Sequence, residues 1–101
     1  MKAKIYTLKA KVWLYPAQTA AWHFLTLPKK EGQEIRKMFK AVSKGWGSLP
    51  VEVTLRSTTW KTSIFPDKTS GSYLLPLKAA VRKREEIEES DTISFTLKVC
   101  P

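Results

Sequence analysis

Phe24-Leu25-Thr26-Leu27-Pro28 leads into a basic helical stretch and then into Pro50-Val51-Glu52-Val53-Thr54-Leu55. Tyr73-Leu74-Leu75-Pro76 leads into a second basic helical stretch and then into Asp91-Thr92-Ile93-Ser94-Phe95-Thr96-Leu97. Both read strand, Leu-Pro, helix, strand. A recurring unit constrains architecture more than any single motif here, since neighbouring copies bury their apolar faces together. The repeat predicts a mainly β fold: a small pseudo-twofold β-barrel of two equivalent halves, capped by two short helices. Residues 1–101 are enough for one such domain with a modest core.

The same pattern extends outward from the two Leu-Pro units. From Tyr6 to Leu14 the even positions are Tyr6, Leu8, Ala10, Val12 and Leu14, and the odd ones Thr7, Lys9, Lys11 and Trp13. That alternation predicts a half-buried strand with its lysines outward. Residues 16–20 read as a turn. Trp22 to Leu27 is apolar on both faces, which predicts a central strand. After Pro28, Ile35, Met38, Phe39 and Val42 fall at helical spacing and predict a core-facing stripe. Gly32 weakens the first turn of that helix. Trp46, in the loop that follows, is placed to plug a barrel end. Val51 to Leu55 and Trp60 to Ile64 form a hairpin around residues 56–59, and residues 65–71 read as a loop. Trp60 to Ile64 matches the first strand of the other half. Leu77 to Glu86 is a second helix, with Leu77, Ala80 and Val81 inward, and Ile93, Phe95, Leu97 and Val99 face inward on the last strand.

Net charge is +9 and unevenly spread: residues 1–50 hold ten Lys and Arg against two Glu, and residues 51–101 hold eight against seven Asp and Glu. A basic half suits an anionic partner. Cys100 is the only cysteine. It excludes an intrachain disulfide or a cysteine-based metal site and fits a reducing cytoplasm. No apolar run approaches the roughly 20 residues that cross a bilayer, and the N-terminus lacks the apolar region of a signal peptide. The expectation is a monomeric, cytoplasmic protein with no membrane association.

Four segments carry a resemblance. They are Trp22-His23-Phe24-Leu25-Thr26-Leu27-Pro28, Gly45-Trp46-Gly47-Ser48-Leu49-Pro50-Val51, Trp60-Lys61-Thr62-Ser63-Ile64-Phe65-Pro66 and Gly71-Ser72-Tyr73-Leu74-Leu75-Pro76-Leu77-Lys78, with Arg82-Lys83 beyond. Together they resemble a prokaryotic domain-of-unknown-function family, number nineteen-oh-five, over almost the whole chain. The resemblance implies a double-split β-barrel, similar to the AbrB-like swapped-hairpin DNA-binding domains, with one chain doing what two do there. It implies no activity, since that family has none established. The chain departs from the family pattern at Arg56, Glu86 and Ser90, where glycine is usual. Glycine adopts positive φ at little cost, so these turns are either strained or built differently.

Catalytic chemistry has little support. His23 has no second histidine to form a metal site or relay and reads as a structural residue in an apolar strand. Ser63 has no motif-level base to activate it. Glu85, Glu86, Glu88 and Glu89 read as a solvated helix end. With no Gly-rich phosphate loop either, the expectation is a non-enzymatic protein without cofactor or metal. Binding has more support. Lys9, Lys11, Lys29, Lys30, Arg36, Lys37, Lys40 and Lys44 would form a basic surface for nucleic acid or another anionic ligand if they converge. Exposed aromatics such as Trp13, Tyr15 or Trp46 could stack on bases. The alternative is a small-molecule or enzymatic pocket at Trp60, Ser63, Tyr73, Lys78 and Arg82, whose apolar and cationic mix suits an anionic ligand.

Overall fold

Two long strands, β1 (Ile5–Pro16) and β4 (Thr58–Asp67), hold the computed structural model together by each serving two ladders. Residues 5–11 of β1 pair with β6 (Thr92–Val99), and residues 12–16 pair with β2 (Ala21–Thr26). Residues 58–64 of β4 pair with β3 (Leu49–Leu55), and residues 65–67 pair with β5 (Ser72–Pro76). Pairing of β2 with β5 and of β3 with β6 closes an antiparallel barrel in the order β1-β2-β5-β4-β3-β6. The structure describes residues 4–16, 21–42 and 47–100. The turn expected at 16–20 and the Trp46 plug fall largely or wholly outside these residues.

The duplication is visible in the connectivity. Exchanging β1 with β4, β2 with β5 and β3 with β6 returns the same neighbours all round the barrel. Thr26 pairs with Leu74, and these two are separated by as many residues as Pro28 and Pro76. Thr54 likewise pairs with Thr96, at the separation of Leu55 and Leu97. Equivalent residues therefore meet at two ladders, as a near-twofold relation requires.

Alternation places the core. Leu25, Leu27, Leu49, Val53, Leu55, Ile64, Leu75 and Leu97 are fully buried inside the barrel. Each such aliphatic side chain contributes about 1.5–3 kcal/mol relative to exposure. α1 (Lys29–Phe39) follows Pro28 and adds Ile35, with Phe39 packed alongside; a single 3-10 turn, Lys40–Val42, extends it. Met38 departs from the expected stripe: it is exposed, though its Sδ lies 4.0 Å from the Tyr6 hydroxyl. α2 (Ala79–Arg84) contributes Val81, flanked by buried Leu77 and Ile87, while Ala80 faces out. Gly32 has a reason that propensity alone does not give. A Cβ there would sit 1.8 Å from the Ser72 Oγ, so the backbone of α1 lies directly on β5.

Three departures from the expected local structure have physical causes. β4 runs on through Phe65-Pro66-Asp67, which reads as loop in the sequence. Beyond Ile64 this strand has left β3, so one side of it is unpaired and Pro66 loses no ladder bond by lacking an N–H. The β3–β4 connection is only Arg56-Ser57, with Leu55 opposite Thr58. Its first residue, Arg56, has φ 54°, at a position where a two-residue hairpin favours glycine. Glu86 (φ 53°) and Ser90 (φ 75°) are left-handed too. All three turns thus keep a glycine-type backbone with other residues in it, at a cost of about 1–2 kcal/mol each.

The third departure is Glu85, which is only 8% exposed and so is no solvated helix end. It accepts hydrogen bonds from the Thr58 hydroxyl and, at 3.1 Å, the Ser57 hydroxyl, while Arg56 Nη1 donates to its backbone carbonyl. The Thr58 bond above all, helped by Ser57 and the nearby Arg56 guanidinium, holds its carboxyl below the usual carboxylate range against the opposing effect of burial. Glu85 thus ties α2 to the β3–β4 hairpin.

Candidate functional site

Outward-facing residues along β1 change character where the strand crosses from one ladder to the other. Against β6 they are Thr7, Lys9 and Lys11, with a lone exposed Ile5 at the strand's start; against β2 they are Trp13 and Tyr15. β4 does the same, with Thr59, Lys61 and Ser63 against β3 and then Phe65 against β5. The outer surface of β1-β6-β3-β4 is therefore hydrophilic, with Thr54, Thr96, Ser94 and Lys98 contributing from its central strands. The outer surface of β1-β2-β5-β4 is apolar.

Register assembles the apolar side. Trp13 stands opposite Phe24, and Tyr15 opposite Trp22. Phe24 is also opposite Pro76, and Leu74 lies between Thr26 and Phe65. The Trp13 and Phe24 rings are 5.2 Å apart between centroids and tilted by 34°, a favourable aromatic arrangement. Trp13 Nε1 donates to Thr26 Oγ1 at 2.8 Å, which fixes the indole. Tyr15 and Trp22 are 57% and 56% exposed, so their large apolar surfaces contribute little to the core.

These side chains line two adjoining open grooves. One, of about 860 Å³, has Trp13, Tyr15, Trp22 and Phe24 on one side and Asp67, Thr69 and Ser70 on the other. The second, of about 730 Å³, shares Trp22, Phe24 and Leu74 with the first and is bordered by Lys61, Ser63, Phe65 and Lys78. The apolar band thus carries two lysines on its second half. A contiguous exposed apolar surface of this kind marks a site of interaction.

The residues expected from the sequence are distributed unevenly. Of the five pocket candidates, Ser63 and Lys78 line the second groove. Trp60 instead faces inward and packs on the core, with its buried Nε1 lacking a hydrogen-bond partner. Tyr73 is buried, which raises its hydroxyl above the usual range. Arg82 is half-buried, and its Nε donates to the Leu77 carbonyl at 3.2 Å. The five do not share a cavity. Alternation explains this: Trp60 and Tyr73 occupy the inward phase of their strands, and Ser63 the outward phase.

The basic candidates fall into two groups. Lys9 and Lys11 are exposed on the ladder of β1 with β6. Lys29, Lys30, Arg36 and Lys37 are exposed on α1, which packs on β5, and Lys40 is exposed just beyond it. Lys44 lies outside the described residues. Arg36 reaches a small depression with Phe65, Pro66, Asp67 and Lys68. The sequence reading missed Trp22, Phe24, Phe65 and Lys61 as site residues. The signal was there in Trp22 and Phe24, which make β2 apolar on both faces; double burial is the ordinary meaning of that pattern, and here one face is open. His23 is half-buried on the inward phase of β2.

Among the described residues no group of three or more His, Cys, Asp or Glu is placed to hold a metal ion, and no helix is long and apolar enough to cross a membrane. No curated protein matches the chain. The family model described as a domain of unknown function, DUF1905, matches residues 9–97 and so spans both halves of the barrel, and the chain belongs to that family.

Proposed function

We propose that this barrel is a non-enzymatic, monomeric binding module for an anionic partner, with nucleic acid as the first candidate. The observation that carries this reading is the exposed aromatic groove bordered by Lys61 and Lys78 on a chain of net charge +9. Aromatic rings offer stacking surfaces, and lysines displace the counterions of a polyanion. Exposed Lys9, Lys11, Lys29, Lys30, Arg36, Lys37 and Lys40 add long-range attraction without belonging to one stripe. A second reading, a small anionic ligand held by Lys61, Ser63 and Lys78, is favoured by the second groove alone.

The test is a titration of labelled DNA and RNA at about 50 and about 200 mM salt. The expected result is binding at the lower concentration that weakens steeply at the higher. No binding to either at low salt overturns the nucleic-acid reading.

A further inference from the structure

We infer that the aromatic groove takes unpaired bases, so that the module recognises single strands and not duplexes. This rests on the anionic-partner reading above and specifies its ligand. Trp13 is fixed by its bond to Thr26 and packed against Phe24, which makes a rigid aromatic floor. Tyr15 and Trp22, opposite each other on β1 and β2, stand exposed beside it. Stacking on such rings needs a base whose face is free, and in a duplex both faces are covered by neighbouring pairs. A duplex would meet the groove with its charged backbone and leave the apolar surface unmatched.

Dimensions agree, and so does the charge of the second groove, while Asp67 borders the first. The band crosses four strands, about 14 Å at the usual strand spacing, several times the roughly 3.4 Å step between stacked bases. Lys61 and Lys78 border the end of the groove that Trp22 and Phe24 share, where they can meet the phosphates of a strand whose bases lie on the rings. An apolar protein segment would fill the aromatic part but leave these two ammonium groups without counter-charges. The pseudo-equivalent place in the other half makes the point from the opposite side. There Ser72, which corresponds to Phe24 when the Leu-Pro units are aligned, is buried beneath Gly32 of α1. The duplicated position is closed in one half and open and aromatic in the other.

The experiment measures affinities of the intact chain for an unstructured labelled single-stranded oligonucleotide, for its duplex and for inorganic polyphosphate. It compares the parent with Trp22→Ala, Trp22→Phe and Lys61→Ala. The single strand is expected to bind best. Trp22→Ala should weaken it about tenfold, while Trp22→Phe largely retains binding. Lys61→Ala should lower the magnitude of the salt slope by about one. Equal affinity for all three probes, unmoved by Trp22→Ala, overturns the stacking inference and leaves a purely electrostatic module. Binding to none of them at low salt overturns both readings, and so does self-association that Trp22→Ala abolishes in their absence, since the groove is then a protein interface. Unchanged thermal unfolding of the Trp22 variants separates lost binding from lost fold.

Discussion

The two outer surfaces of the barrel share strands, hydrogen-bond pattern and core, yet differ in chemistry. On β1-β6-β3-β4 the outward residues are Thr7, Lys9, Lys11, Thr54, Ser94 and Thr96 with Ile5 as a single apolar one, as expected for a sheet face that meets water. On β1-β2-β5-β4 they are Trp13, Tyr15, Trp22, Phe24, Phe65 and Leu74. Folding needs one apolar face per strand, and both sheets have it inside. The second apolar face is therefore surplus to folding. That surplus, and not the count of lysines, separates a candidate site from ordinary surface.

The largest effects should distinguish the phases of a single strand. Leu25→Ala on β2 removes a fully buried side chain and should destabilise by about 3 kcal/mol in urea denaturation. Trp22→Ala, outward on the same strand, should cost no more than about 1 kcal/mol. Equal losses would mean that the aromatic side is core after all. Next, the covered counterpart of Phe24 can be opened. Gly32→Ala drives a Cβ into Ser72 and should cost about 2 kcal/mol. Adding Ser72→Gly removes both the Oγ and the Cβ from that contact and should restore part of the loss; no recovery would show that the helix is constrained elsewhere.

The hairpin end shared by β3 and β4 has its own test in Glu85. Its carboxyl is held below its ordinary 4.5, so the folded state favours the ionised form. The resulting stability is present above that ordinary value and is lost as pH falls through the depressed folded value. Thr58→Val removes the main cause and should flatten the acid limb of a stability–pH profile. An unaltered limb would assign acid sensitivity to other groups. The smallest effects belong to the left-handed turns. Glu86→Gly and Ser90→Gly should each stabilise by roughly 0.5–1 kcal/mol, read as a small rise in denaturation midpoint.

Much of the fold was legible because it rests on local pattern. The Leu-Pro repeat pointed to two equivalent halves, and alternation in residues 6–14 assigned Lys9 and Lys11 to the outside. The departures from glycine at Arg56, Glu86 and Ser90 marked where positive φ would fall. What was not legible depends on which strand lies beside which. Trp22 and Phe24 look like buried residues until β1 and β5 are known to flank β2 and Trp22 is found exposed. Tyr73 and Lys78 look like site partners until one is found inside and the other on the rim. Gly32 looks like a weak point until Ser72 is found beneath it.

The contrast between the two surfaces is tested most directly by following backbone amide and indole resonances while an unstructured single-stranded oligonucleotide is titrated in at low salt. The indole N–H signals of Trp13 and Trp22 and the amides of Tyr15, Phe24, Leu74 and Lys78 should move together and saturate, while those of Thr7, Ser94, Thr96 and Thr54 stay in place. Shifts concentrated on β3 and β6, or spread evenly over every exposed lysine, would contradict a binding role for the aromatic groove.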